Sequence, residues 1–326
     1  MSIDVICLRP EADFTRVGVT PPANLNIVYR KPDDADLPAL LKTARAVVMP
    51  AVGPKLPATL FEGTALQVVQ ITGAGVDRLD ETALKKFGIP VANVPGGSNS
   101  ALAEYTTACA SVLLRRFTWA DAEIKRGNYT AFRNRMMADN LAGIDGATVG
   151  VIGMGVIGMA VAEAFHRIGC TIVYFDPALK DRTGADALNA RGMALDALLK
   201  TADVVTLHVP LIPATQNLIG AKQLALMKSE AVLINGARGG VVDEAALAQA
   251  LQDGRIAGAA VDVYSVEPAT ADNPLLQLQG EAAARLLLTP HVAGVTRQSA
   301  AFLFRAAWNN IERVLCRNES PAHRVY

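Results

Sequence analysis

Gly153, Gly155 and Gly158 stand in G-x-G-x-x-G spacing within TVGVIGMGVIGMAVAEAFHRIGCTIVYFDP, residues 148–177. Such spacing serves pyrophosphate binding. The first glycine permits a tight turn, the second lets backbone approach the phosphates, and the third lets helix pack on strand. The helix N-terminus then offers unpaired N–H groups and the positive end of its dipole. Asp176 lies 18 residues beyond Gly158, where a carboxylate can accept from both ribose hydroxyls and repel a 2′-phosphate, so NAD is expected rather than NADP. A bare tight turn or a flavin site are the alternatives; the apolar run before the glycines, the helical stretch after them and the acid beyond favour NAD.

Hydride transfer to a nicotinamide further needs a group to hold the substrate and one to exchange a hydroxyl proton. Of the 4 histidines, His166 falls in the helical stretch after the glycines and His323 in the tail. His208 closes the run VVTLHVP, and His291 follows LLLTP. Taken alone, a histidine at a strand end is more often a packing or capping residue. Arg238, after VLIN, and Glu267, after AAVDV, stand at comparable strand ends and change that balance.

The elements that must carry these residues follow a βαβ rhythm. In the first part, IDVICL, AVVM, QVVQI and PVANV read as strands, with DLPALLKTA and LDETALKKFG as helices. After the turn-forming PGGSNS, residues 101–116 are apolar almost all round a helical wheel, predicting a helix buried against a domain or a subunit neighbour. From Thr148 the rhythm resumes in TVGVIG, TIVYFD, DVVTLHVP, AVLING and IAGAAVDV. Residues 297–317 read as one long amphipathic helix returning to the first part. The expectation is an α/β protein with two Rossmann-like, doubly wound parallel sheets and the active site in the cleft between them. Residues 1–97 with 298–326 would form one domain and 98–297 the dinucleotide-binding one.

Composition bounds the partners. In 326 residues, Lys plus Arg equals Asp plus Glu at 31 each, which removes the general electrostatic argument for nucleic acid or a membrane surface. The cysteines Cys7, Cys109, Cys170 and Cys316 have no short spacing, so neither a metal site nor a disulfide framework is indicated. With no leader-like start and no 18-residue apolar run, a soluble, cytoplasmic protein acting on a small molecule is expected.

Seven segments in order resemble the D-isomer-specific 2-hydroxyacid dehydrogenases, among them D-3-phosphoglycerate dehydrogenase and the glyoxylate and hydroxypyruvate reductases. They are ITGAGVDRLD (71–80), SALAEYTTACASVLLRR (100–116), the glycine fingerprint, LHVPLIPATQNLI (207–219), LINGARGGVVDEAAL (233–247), AAVDVYSVEP (259–268) and TPHVAGVT (289–296). The resemblance implies that Arg238 binds the substrate carboxylate, His291 is the acid/base and Glu267 orients its imidazole. Protonated His291 would donate to the carbonyl in reduction, and the neutral form would accept in oxidation. An arginine fork matches a carboxylate in two hydrogen bonds.

By the same resemblance, backbone N–H groups of Ala74 and Gly75 meet the carboxylate. Asp262 lies near the nicotinamide amide, Ile157 against the phosphates, and His208 with Pro210 along the adenosine. Val156, Thr215, Ala237 and Gly294 complete the cofactor contacts, and the apolar helix from Ala101 contributes to a homodimer.

Departures bear on the substrate. Phosphoglycerate-acting members often carry an arginine in a VVRS-like segment, where this chain has VVMPAVGP (47–54), with Lys55 next. Segment 128–140, NYTAFRNRMMADN, reads as a loop with solvated Arg133 and Arg135. The ITGAGVD loop lacks the lysine of phosphite dehydrogenases, and Glu267 stands where formate dehydrogenases carry glutamine. A small 2-keto acid such as glyoxylate or hydroxypyruvate is expected, with phosphoglycerate second. Gly236 replaces a usually larger residue and would loosen contact with the nicotinamide. The competing reading is a non-catalytic NADH sensor of the corepressor kind on the same fold.

Overall fold

In the computed structural model, which describes residues 3–326, the short apolar runs pair side by side and always in parallel. They build two sheets, one in each of two units: residues 3–98 with Val295–Tyr326, and Asn99–Gly294.

The first unit contains β1 (Val5–Cys7), β2 (Ile27–Tyr29), β3 (Ala46–Met49), β4 (Val68–Ile71) and β5 (Val91–Ala92), in the order β2-β1-β3-β4-β5. The sheet buries both faces, so its strands are apolar at nearly every position rather than at alternate ones. Alternation sorts the side chains: Val5, Ala46, Val48 and Val68 meet the helix Arg297–Arg317, while Ile6, Val47, Met49 and Val69 face the helices Leu37–Leu41 and Glu81–Phe87. The long helix starts on a capping box, Thr296 Oγ1 accepting from Ser299 N at 3.0 Å and Ser299 Oγ from Thr296 N at 2.9 Å. Its Phe304 and Trp308 pack on Phe14, with ring centroids 4.8 and 5.3 Å apart. Each such buried side chain contributes about 1.5–3 kcal/mol.

The second unit contains β6 (Thr148–Ile152), β7 (Thr171–Phe175), β8 (Arg191–Gly192), β9 (Val204–Leu207), β10 (Val232–Asn235), β11 (Gly258–Val261) and β12 (Leu286–Leu288). Their order is β12-β11-β10-β9-β6-β7-β8. From β6 the chain moves outward to β7, and later returns to place β9 on β6's other side. That reversal opens a crevice beyond the C-terminal ends of β6 and β9, where doubly wound sheets bind ligands.

The apolar helix forms as Asn99–Leu114. It packs Ala103, Cys109, Ala110 and Leu113 against Val149, Val161 and Phe165, so its all-round apolarity is explained within its own unit. Segment 128–140 differs from the expected loop. Tyr129–Ala138 is helical, and Arg135 makes a two-pronged pair with Glu281 at 2.6 and 2.8 Å while lying 4.5 Å over the Trp119 ring. That arginine is a structural clamp, drawn in by an acid 146 residues away in sequence. Among the described residues, no helix is long and apolar enough to cross a membrane.

Candidate functional site

The glycine loop leaves β6 at its C-terminal end and opens the helix Val156–Arg167. Gly153 has φ +91°, and a Cβ there would lie 2.6 Å from the His208 carbonyl oxygen. A Cβ on Gly158 would lie 1.9 Å from the Gly153 carbonyl oxygen, so helix and turn touch only because it is glycine. At Gly155 a Cβ would meet nothing within 4 Å. The middle glycine thus fronts open space. Asp176 follows β7; its Oδ2 accepts from Met154 N at 2.8 Å and its Oδ1 from Ala178 N at 2.9 Å. The carboxylate is thereby fixed beside the loop, with lone pairs to spare for ribose hydroxyls.

After β10 the chain turns sharply. Asn235 stabilises the turn from both ends, its Nδ2 donating to the Arg238 carbonyl at 3.1 Å and its Oδ1 accepting from Ala237 N at 3.2 Å. Arg238 Nη1 donates to the Ala237 carbonyl at 2.7 Å. A Cβ on Gly239 would fall 1.9 Å from the Tyr264 carbonyl oxygen, and Gly240 has φ +79°. Only glycines let the arginine-bearing turn press against the segment that carries Glu267. Gly236 needs no such allowance: a Cβ there would sit at ordinary contact, 3.6 Å from Ala293 Cβ and 3.7 Å from Leu102 Cδ2.

Glu267 and His291 are brought together. His291 Nδ1 lies 2.7 Å from Glu267 Oε2, and Glu267 Oε1 accepts from Tyr264 N at 3.0 Å. His291 has φ +55°, a left-handed conformation that costs a side-chain-bearing residue about 1–2 kcal/mol. Asp262, 1% exposed, holds it there. The Asp262 carbonyl accepts from His291 N, Oδ1 from Val292 N and Oδ2 from Ala293 N, each at 2.8 Å. Oδ1 also accepts from Thr289 Oγ1 at 2.6 Å, leaving the threonine oxygen to accept from the Tyr105 hydroxyl 2.7 Å away. Burial pushes the Tyr105 phenol up, so it stays a donor.

Tyr105 and Thr289 support the site without having stood out in the sequence. The one signal they gave was their place in the segments SALAEYTTACASVLLRR and TPHVAGVT, because nothing local announces a bond across 184 residues.

In the first unit, Ala74 and Gly75 sit in the loop after β4. The Gly73 carbonyl accepts from Val94 N at 2.8 Å, and the Ala74 carbonyl from Asn93 Nδ2 at 2.7 Å. In a trans peptide, N–H and C=O point oppositely. Fixing both carbonyls toward the segment after β5 therefore turns the N–H groups of Ala74 and Gly75 away from it, as an anion cradle requires. Asn93 is a further supporting residue that sequence reasoning missed.

The remaining expected contacts are more varied. His208 N donates to the Ile152 carbonyl at 2.7 Å, its ring Nε2 meets Thr206 Oγ1 at 2.9 Å, and burial pushes the imidazole down to about 4, leaving it neutral at physiological pH. Thr215 Oγ1 is engaged within its own turn, donating to the Pro210 carbonyl at 2.6 Å and accepting from Ile212 N at 2.9 Å. Pro210 is exposed, Ile157 half-buried and Ala237 buried. Val156 is 65% exposed on the first turn of the glycine-loop helix, and Gly294 ends the unit.

Residues 107–293, more than half of the chain, match the family model of the D-isomer specific 2-hydroxyacid dehydrogenase NAD binding domain. The chain is 38% identical over 235 residues to D-3-phosphoglycerate dehydrogenase of Archaeoglobus fulgidus, covering 72% of this chain but only 42% of that protein. To glyoxylate reductase of Aeropyrum pernix it is 35% identical, covering 77% of this chain and 74% of the relative. Its fold is similar to the NAD-complexed D-isomer specific 2-hydroxyacid dehydrogenase from Lactobacillus delbrueckii ssp. bulgaricus, with a TM-score of 0.79 and 26% identity over 98% of this chain and 99% of that one. The second unit is an NAD-binding domain, and the chain belongs to the D-isomer specific 2-hydroxyacid dehydrogenase family.

Proposed function

We propose that the protein is an NAD-dependent oxidoreductase transferring hydride between the nicotinamide and C2 of a small D-2-hydroxy acid or 2-keto acid. The observation that carries this reading is the 2.7 Å contact between His291 Nδ1 and Glu267 Oε2. With Nδ1 engaged by the carboxylate, Nε2 is the nitrogen that exchanges the proton. Protonated His291 gives it to the carbonyl oxygen as hydride arrives at C2, and neutral His291 takes it from the hydroxyl in the reverse direction. Glu267 fixes the ring and its tautomer.

The same proposal gives the substrate carboxylate to Arg238 and to the N–H groups of Ala74 and Gly75. Gly153, Gly155 and Gly158 would admit the pyrophosphate of NAD and Asp176 its ribose, and the cofactor, when bound, would accept or give the hydride. Asp262, fixed by the Thr289 and Tyr105 bonds, holds the His291 turn and is the residue that would meet the cofactor amide.

Glyoxylate or hydroxypyruvate is the preferred substrate type, and phosphoglycerate the second. Met49 and Pro50 supply no charge in the segment where, by the resemblance, phosphoglycerate-acting members often carry an arginine. A homodimer to which the helix from Ala101 contributes is part of the proposal, and beyond that helix Phe117, Ile124, Tyr129 and Met137 are 46–67% exposed. The unpaired state of Cys7, Cys109, Cys170 and Cys316 supports a reducing, cytoplasmic setting. The test is a panel of 2-keto acids followed by NADH absorbance with NADPH in parallel: oxidation of NADH by a short keto acid is expected, and NADH binding without turnover of any acid defeats the proposal.

A further inference from the structure

Among the described residues, two charged side chains are buried, Asp262 at 1% exposure and Arg78 at 4%. Asp262 belongs to the His291 turn. Arg78 has no part in the chemistry above, and among the described residues no carboxylate pairs with it; burial alone pulls its guanidinium down. A charge in such a position is costly unless its donors are used.

The donors are used on the neighbouring loop. Arg78 Nε donates to the Pro54 carbonyl at 2.8 Å and Nη1 to the Pro50 carbonyl at 2.9 Å, while the Arg78 carbonyl accepts from Leu56 N at 2.9 Å. The segment after β3 is therefore wrapped around one guanidinium. Gly53, at φ +131°, allows the wrap: a Cβ there would lie 3.1 Å from Arg78 Cζ. The wrapped loop in turn leans on the carboxylate cradle, since a Cβ on Gly73 would come 2.9 Å from Ala51 Cβ.

We infer that Arg78 is a positioning residue that determines substrate specificity, holding the Pro50–Leu56 backbone against the Gly73–Gly75 cradle so that the loop presents an apolar, uncharged surface to the substrate tail. This rests on the function proposed above. By the resemblance, phosphoglycerate-acting members often carry an arginine in this segment. Here the arginine comes from the adjacent loop and faces backbone. With the Pro50 and Pro54 carbonyls turned inward and both prolines lacking an N–H, Ala51 packs on the core beside Gly73 and the loop offers the 45%-exposed Val52 outward. The remaining cation, Lys55, is exposed, where its attraction for a phosphate is screened. The site accordingly takes keto acids with short uncharged tails and discriminates against a tail bearing phosphate.

The test uses the full chain with Arg78→Met and Arg78→Lys, assayed with hydroxypyruvate and with its 3-phosphate ester. In the native chain kcat/KM favours the unphosphorylated acid. In Arg78→Met, KM for hydroxypyruvate rises about tenfold, the worth of hydrogen bonds from a charged donor, while kcat and the Kd for NADH stay near native and the preference between acids narrows. Arg78→Lys, able to reach one carbonyl, is intermediate. Amide hydrogen exchange across residues 51–56 quickens in Arg78→Met, a readout that needs no turnover.

An active Arg78→Met with native KM, or with native exchange in that loop, overturns the role of Arg78 and leaves the dehydrogenase reading standing. A native preference for the phosphate ester overturns the specificity. A native chain that turns over neither acid removes the dehydrogenase reading and the specificity with it.

Discussion

His291 Nδ1 stands 2.7 Å from Glu267 Oε2, and the other oxygen of that carboxylate accepts from Tyr264 N at 3.0 Å. The carboxylate is therefore held by its own loop before it holds the histidine. Replacing Glu267 by Gln keeps an acceptor but removes the negative charge beside the ring. In steady-state assays Glu267→Gln should lower kcat by about 10² with the Kd for NADH unchanged; native kcat would mean the charge does no chemistry.

Two glycines of one turn should respond in opposite directions. Gly236 has ordinary contact distances for a Cβ, so Gly236→Ala should stabilise by about 0.4–1 kcal/mol through the unfolded state. Gly239→Ala must displace the Tyr264 carbonyl 1.9 Å away and should destabilise by about 3 kcal/mol. Urea unfolding of the two variants checks both, and equal midpoints would contradict the close approach of the turn to the Glu267 segment.

Asp176 accepts from Met154 N and Ala178 N and carries the charge that opposes a 2′-phosphate. Asp176→Asn retains an acceptor and loses the repulsion. The ratio of kcat/KM for NADPH to that for NADH should rise about tenfold, a change worth about 1.4 kcal/mol. An unchanged ratio would move cofactor selection elsewhere.

His208 gives a pH signature. Burial brings its imidazole from 6.5 down to about 4 in the folded protein. Between these values the unfolded chain binds a proton that the folded one refuses. The stabilising contribution is therefore present above pH 6.5, is lost as pH falls toward 4 and is fully gone below it. The full loss is on the order of 3 kcal/mol. Urea midpoints at pH 7 and pH 4.5 should differ less for His208→Gln than for the native chain; parallel losses would assign the acid sensitivity to other groups.

What the sequence made legible was whatever is local and periodic. The runs around β1, β3, β4, β6, β7, β9, β10 and β11 are apolar at nearly every position because both sheet faces are covered, and the glycine fingerprint announces its turn by composition. β2 escaped notice because it is a three-residue, half-buried edge strand. The helix Tyr129–Ala138 was read as a loop because its stability comes from Arg135 meeting Glu281 and stacking on Trp119, contacts invisible to a window of neighbouring residues.

At the site, Glu267 and His291 were named from strand-end positions and resemblance together. The residues that hold them, Tyr105, Thr289 and the Asp262 carboxylate in its supporting role, act through long-range hydrogen bonds. Only the fold reveals that supporting set. The same holds for Asn93 and Arg78, whose types are unremarkable in sequence and whose partners are backbone carbonyls.

The central claim is that His291 exchanges the proton while hydride moves between nicotinamide and a 2-keto acid. Its most direct test is NADH oxidation by glyoxylate and hydroxypyruvate, measured for the native chain and His291→Ala, with NADH binding followed separately by fluorescence titration. The expected result is turnover by the native chain, a fall of about 10²–10⁴ in kcat for the variant and equal NADH affinity. Native-like turnover in His291→Ala, or a native chain that binds NADH yet oxidises it with neither acid, would contradict the account.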